Sequence, residues 1–174
     1  MFKGLSIMKL LDEKFKTNYK NYMFQCTVAA AITFVIFLFV DIVSSMVILA
    51  AYGATTFIAF TMPWGYAARP RNIIGGYFVG SIVGILIHSI QGILLNAHIL
   101  INNHLLLLIS SALCVGITSI ILVITDTEHP PAVGMALGLI INEWNFLSIF
   151  ITLTAIIALT IAKEALKPHL INLK

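Results

Sequence analysis

The chain has 174 residues, of which 60% are apolar and only 10% are Asp, Glu, Lys or Arg, and its mean hydropathy is +1.02. A soluble domain carries about 25% charged residues, so this composition excludes a soluble enzyme, a disordered chain and a nucleic-acid-binding module, and leaves an integral membrane protein. The net charge of +3 does not argue for nucleic acid either. The ten Lys and Arg residues gather at Lys3, Lys9, Lys14, Lys16 and Lys20, at Arg69 and Arg71, and at Lys163, Lys167 and Lys174. Clusters that flank apolar runs are topology signals.

In chain order, residues 1–21 read as an amphipathic interfacial segment. On a helix, Leu5, Met8, Leu11, Phe15 and Tyr19 share one face and Lys9, Glu13, Lys16 and Lys20 another, as in helices that lie among headgroups. No signal-peptide pattern is present. Residues 22–163 form a single transmembrane domain. Its apolar runs cover residues 22–40, 46–62, 73–95, 105–125 and 146–162, each near the roughly 20 residues that cross a bilayer as a helix. Pro63, Trp64 and Gly65 end the second run, and Arg69 and Arg71 occupy the loop after it.

Between the last two runs stands Asp126-Thr127-Glu128-His129-Pro130-Pro131, followed by a largely apolar stretch from Ala132 to Asn142. Prolines are tolerated at a helix start, so a short helix is predicted there, too short to span alone. The fold class is therefore all-α: about five full transmembrane helices plus a short Pro-capped helix, preceded by the amphipathic N-terminal helix. If the short helix is re-entrant there are five crossings. If it crosses, completed by non-helical backbone, there are six, and all ten basic residues share one side. The positive-inside rule favours six, with both termini and the 164–174 tail cytoplasmic and Trp144 at the far interface. No transit peptide is seen, which suits a bacterial or archaeal cytoplasmic membrane.

Gly76, Gly80 and Gly84 repeat every four residues in the third run, and Gly134 and Gly138 do so in the short helix. Such stripes let backbones approach in lipid, here foremost within the chain, and a homo-oligomer is expected as well. A faint repeat is also visible. Pro70-Arg71-Asn72 and His129-Pro130-Pro131 each follow an apolar run and each introduce a Gly-striped helix, a pairing that points to a transporter site.

Polar groups at membrane depth are functional candidates. The densest cluster is Thr125, Asp126, Thr127, Glu128 and His129. A helix start beside it offers N–H groups and a positive dipole end, and an imidazole can bind an anion or shuttle a proton. Arg69, Arg71 and Asn72 form a second anion-attracting cluster. Capping of the helix by Asp126, Thr127 or Glu128, and simple charge anchoring by the arginines, explain the same residues structurally. Neither a G-x-S-x-G nor an H-E-x-x-H nor a Walker A pattern occurs. Cys26 and Cys114 sit in apolar stretches, and no Cys or His pair has zinc spacing. No enzyme activity, metal or cofactor is expected.

Thr125-x-Thr127-x-His129-Pro130-Pro131-Ala132, Pro70-Arg71-Asn72-x-x-Gly75-Gly76 and Gly53-Ala54-Thr55 together resemble the motifs of the HPP family of integral membrane proteins, in the family's order and over about residues 25–165. The resemblance implies a small multi-helix membrane domain, and a plastid branch of the family is associated with nitrite transport. Three positions depart from the pattern: Val133 replaces a glycine, Tyr77 stands where a histidine is common, and Asp126 where Gly or Arg is frequent. Val133 is expected to obstruct close backbone approach at the start of the short helix.

The expected function is a transporter or channel for a small inorganic anion, nitrite-like. His129, Arg71, Asn72, Thr127 and Arg69 would bind the ion, and Asp126 or Glu128 would couple a proton. Two alternatives stay open: a non-transporting assembly subunit and a proton-coupled cation carrier.

Overall fold

The computed structural model describes residues 13–39, 46–97 and 102–173. Six α-helices follow one another: α1 (Glu13–Phe39), α2 (Met46–Thr61), α3 (Pro70–Asn96), α4 (Asn103–Ile124), α5 (Pro131–Ile141) and α6 (Phe146–Leu166), with single 3-10 turns at Tyr66–Ala68 and Lys167–His169. Among the described residues, four stretches are long and apolar enough to cross a membrane: Lys14–Leu38, Pro70–Asn96, Asn103–Ile124 and Phe146–His169. That is one fewer than the five expected. α2 has 16 residues, roughly 24 Å, because Met62 precedes Pro63 and a residue before proline avoids the helical region. Most of the expected amphipathic N-terminal segment lies outside the described residues. Residues 13–21 are the first turns of α1, which kinks at Asn18 (φ −119°, ψ 22°).

Neighbouring contacts set the direction of each helix. Gln25 reaches the Phe60 carbonyl at 2.6 Å, Thr33 reaches Thr56 at 3.1 Å, and the Phe37 ring lies 6.4 Å from that of Tyr52, so α1 and α2 are antiparallel. α3 and α5, both opened by proline in the first turn, run side by side in the same direction. The glycine stripe of α3 sets their separation. A Cβ on Gly80 would stand 2.4 Å from the Ala132 carbonyl oxygen, one on Gly84 2.8 Å from that of Ala136, and one on Gly76 2.9 Å from the His129 Cβ. Without glycines the two backbones could not meet, and close backbone packing is what holds helices together where lipid removes the hydrophobic drive. On the other side of α5, a Cβ on Gly134 would lie 3.1 Å from the Ala51 Cβ of α2. Gly138 is buried, and its carbonyl accepts from both nitrogens of Asn142. The stripes of Gly76, Gly80, Gly84 and Gly134 are thus filled within the chain.

α5 is the centre of the bundle, packed against α2, α3 and α4. Ala132, Met135, Ala136 and Leu139 are all within 1% of complete burial, as befits a helix that is apolar all round. Val133 does not obstruct it. The α5 residues that meet the glycines of α3 are Ala132, Ala136 and Leu139, while Val133 is partly buried and packs on the core cluster. The turn before α5 is a Schellman closure of α4: Thr127 N–H donates to the Leu122 carbonyl (3.0 Å) and Asp126 N–H to that of Val123 (3.2 Å). Asp126 is left-handed there, at φ 54°. This is the conformation glycine adopts most cheaply and Asp tolerates.

The C-terminal residues do not form a free tail. α6 continues to Leu166, and the segment after it folds back across α1 and α2. Leu170 and Leu173 are 3% and 5% exposed. The fully buried Gln25 pairs both amide atoms with Ile171, donating to its carbonyl (2.9 Å) and accepting from its N–H (3.1 Å). Leu173 N–H donates to the Thr61 carbonyl and the Trp64 indole to that of Leu170. Arg69, Arg71, Lys163 and Lys167 all cluster near this end of the bundle, referred to below as the basic end.

Candidate functional site: a buried polar file

His129 stands at the start of α5, just outside the spanning helices, and is 0% exposed. Both ring nitrogens are engaged. Nδ1 lies 2.8 Å from the Ala67 carbonyl oxygen and Nε2 2.9 Å from Thr55 Oγ1. A carbonyl can only accept, so Nδ1 carries the ring proton and Nε2 accepts from the Thr55 hydroxyl. The Thr55 oxygen in turn accepts from Tyr77, 2.8 Å away. The Ala67 carbonyl thereby orders the whole chain, Tyr77 to Thr55 to His129. The Tyr52 ring continues it, 6.1 Å from that of Tyr77, and its hydroxyl donates to the Thr152 carbonyl at 2.6 Å.

Thr152 lines a cavity of about 620 Å³ at the end opposite the basic one, together with Met135, Gly138, Asn142, Asn145 and Ser148. The cavity follows from the length of α5. Eleven residues rise roughly 16 Å, and the chain then runs extended through Asn142 and Asn145 to a capping box that starts α6. The space beside α2 and α6 is left open. Trp144 lies in this segment with its indole against the His88 ring, 5.7 Å between centroids. A line of hydroxyls and one imidazole therefore runs through an apolar core, from this cavity to the turn at Ala67.

Burial pulls the His129 imidazole down to about 4, against the opposing effect of its hydrogen bond with Ala67. The ring is neutral at pH 7. Since the unfolded histidine titrates near 6.5, the unfolded chain binds the extra proton first as the pH falls. Stability is fully present above about 6.5 and declines toward 4, by about 3 kcal/mol for this one group. Thermal unfolding followed from pH 7 to 4.5 is expected to show that decline, and His129→Gln to flatten it relative to its own value at pH 7.

The other expected site residues divide by position. Asn72, 2% exposed, donates to the Glu128 carbonyl at 3.3 Å. Thr127, 8% exposed, shares a 2.7 Å hydrogen bond with Thr125. Both brace the turn that carries His129. Arg71, Asp126, Arg69 and Glu128 are on the basic-end surface. Arg71 Nη1 meets Asp126 Oδ2 at 3.2 Å, and its Nη2 donates to the Thr125 carbonyl at 2.9 Å, closing the end of α4. Asp126 also accepts from the Tyr66 hydroxyl, and Arg69 lies over the Tyr66 ring at 5.1 Å. Glu128 is exposed. The N–H groups after Pro131 turn inward: Ala132 donates to the His129 carbonyl (2.9 Å) and Val133 to that of Pro130 (3.1 Å).

Sequence reasoning passed over Tyr52, Thr152 and Lys163, and took Thr55 and Tyr77 only as motif positions. Lys163 is 0% exposed; its Nζ donates to the Ala68 carbonyl (2.8 Å) and to Glu164 (2.6 Å). Tyr52 and Thr55, three apart in an apolar run, share a helix face, and that was the available signal. Among the described residues no group of His, Cys, Asp and Glu is placed to hold a metal ion.

Comparison with known proteins finds the family described as HPP, transmembrane region, matching residues 14–165. No curated protein and no solved structure matches the chain. The match takes in all of α2 to α5 and every residue of the polar file, and it agrees with the motifs around Thr55, Asn72 and His129: this apolar, all-helical chain belongs to the HPP transmembrane family.

Proposed function

We propose that the chain is a membrane transporter for a small inorganic anion, nitrite-like, and that the polar file is its route. The file itself carries the reading. Burying hydroxyls and an imidazole in an apolar bundle costs stability unless each is bonded, and here two hydrogen-bonded pieces, Tyr77–Thr55–His129 and Tyr52–Thr152, meet ring to ring between an open cavity and the basic end. The association of a plastid branch of the family with nitrite supports the choice of ion.

In this reading the chain crosses the membrane six times, with both termini at the cytoplasmic face and the cavity outside. α5 reaches roughly 16 Å into the bilayer, and the extended residues 142–145 supply about 13 Å more. Non-helical backbone is tolerated at that depth when protein or a water-filled cavity surrounds it. Arg69, Arg71, Lys163 and Lys167 then lie on the inner side, as the positive-inside rule requires.

Purified protein in liposomes, tested against nitrite, chloride, sodium and potassium, examines this directly. Nitrite entry is expected to exceed that of protein-free vesicles by about tenfold or more, the equivalent of a barrier lowered by ~1.4 kcal/mol. Sodium and potassium are expected to stay at the protein-free rate. Entry of a cation in place of nitrite would contradict the reading.

A further inference from the structure

The charges around the file bear on the form in which a solute passes. Tyr52, Thr152, Tyr77 and Thr55 are uncharged, and the hydrogen bonds of His129 use one ring proton and one lone pair, the pattern of a neutral imidazole. The groups facing His129 are Thr55 from α2, Tyr77 from α3 and the Ala67 carbonyl. The charges nearest to it in sequence are Asp126 and Glu128 of its own loop. Three of the cations close by meet a carboxylate: Arg71 pairs with Asp126 at 3.2 Å, and Lys163 (2.6 Å) and Lys167 (3.2 Å) share Glu164; Arg69 lies over the Tyr66 ring on the exposed surface, outside the file. At the other end, the ionisable residue in the cavity lining is an acid, Glu143. A bare anion entering here leaves water, passes a carboxylate and meets dipoles in place of a counter-charge, and an ion is stable in a low-dielectric interior only when it is paired.

We infer that the file passes its solute as a net-neutral unit, the anion joined to one proton. This rests on the transport reading above. The balance is simple. On the cavity side the anion takes one proton from water to give its conjugate acid; no bond other than that to hydrogen forms. The acid exchanges hydrogen bonds with Thr152, Tyr52, Tyr77, Thr55 and His129 in turn, and at the basic end it releases the proton to water. Hydroxyls and an imidazole that each donate or accept suit a small neutral acid, which does both. The net result is symport of one anion and one proton, with no charge moved.

Liposomes holding the full chain and a pH-sensitive dye, with the potential set by a potassium gradient and valinomycin, test this. Nitrite is the probe, and rates are taken above those of protein-free vesicles. The expected result is a rate that is the same at zero and at about −100 mV, with one proton entering per nitrite. For a bare monovalent anion that potential opposes entry by about 50-fold in the equilibrium distribution, and the lumen would not acidify. Protein-dependent entry that follows the potential without acidification would overturn the inference and leave the transport reading standing. If no protein-dependent entry occurs at either potential, both are overturned.

Discussion

Gly80→Ala is expected to break the bundle, although it adds one methyl group. The new Cβ would stand 2.4 Å from the Ala132 carbonyl oxygen and 3.7 Å from the Ala136 nitrogen. These are backbone atoms of a helix held on its other sides by α2 and α4, so no side chain can swing aside. α5 must move off α3, and the hydrogen bonds of His129 at its first turn move with it. Overpacking a core costs about 1–3 kcal/mol and occasionally more; with backbone against backbone the upper part of that range is expected. Gly116→Ala provides the comparison. No atom lies within 4 Å of a Cβ there, and replacing glycine in a helix gains up to about 1 kcal/mol. Thermal unfolding in detergent should separate the two variants in opposite directions. Equal melting temperatures would mean that the α3–α5 contact does not govern the fold.

His129→Ala is the second large effect. Removing the ring strips a donor from the half-buried Ala67 carbonyl and an acceptor from the fully buried Thr55 hydroxyl. An unsatisfied buried group costs about 1–3 kcal/mol, and the lost volume adds to it. Stability and nitrite flux are therefore expected to fall together, by thermal unfolding and by liposome uptake. A variant that kept its full melting temperature would show that the ring is not held as described.

Much of the fold was legible, because local chemistry writes it. Pro70 and Pro131 mark two helix starts, the spacing of Gly76, Gly80 and Gly84 marks a close contact, and Asn142 to Asn145 mark the end of the short helix. The pairings were not legible. Thr55 and His129 are 74 positions apart, and in a bilayer both the lipid face and the core face of a helix are apolar, so periodicity does not say which face meets which neighbour. For the same reason Arg71 and Asp126 looked like separate site residues until the turn brought them together. Lys163 looked like a topology charge, since nothing local distinguishes a buried lysine near a helix end from one at the headgroups. The docking of Leu170 and Leu173 rests on Gln25, a single polar residue in an apolar run whose partners come from the far end of the chain. Tyr77, a departure from the family pattern, keeps a donor at its position and joins the file.

Because His129→Ala lowers stability and flux alike, the sharper test of the file is Tyr77→Phe. The ring stays, and with it the contacts to Tyr52 and His129. Thr55 still donates to His129. One neutral hydrogen bond is lost, about 1 kcal/mol, so the protein should remain folded. The measurement is protein-dependent nitrite uptake by liposomes, wild type against Tyr77→Phe, with melting temperatures taken on the same preparations. If the hydroxyl line is the route, uptake falls about tenfold or more, beyond what the small loss of stability explains. Unchanged uptake by a folded Tyr77→Phe protein would contradict the account.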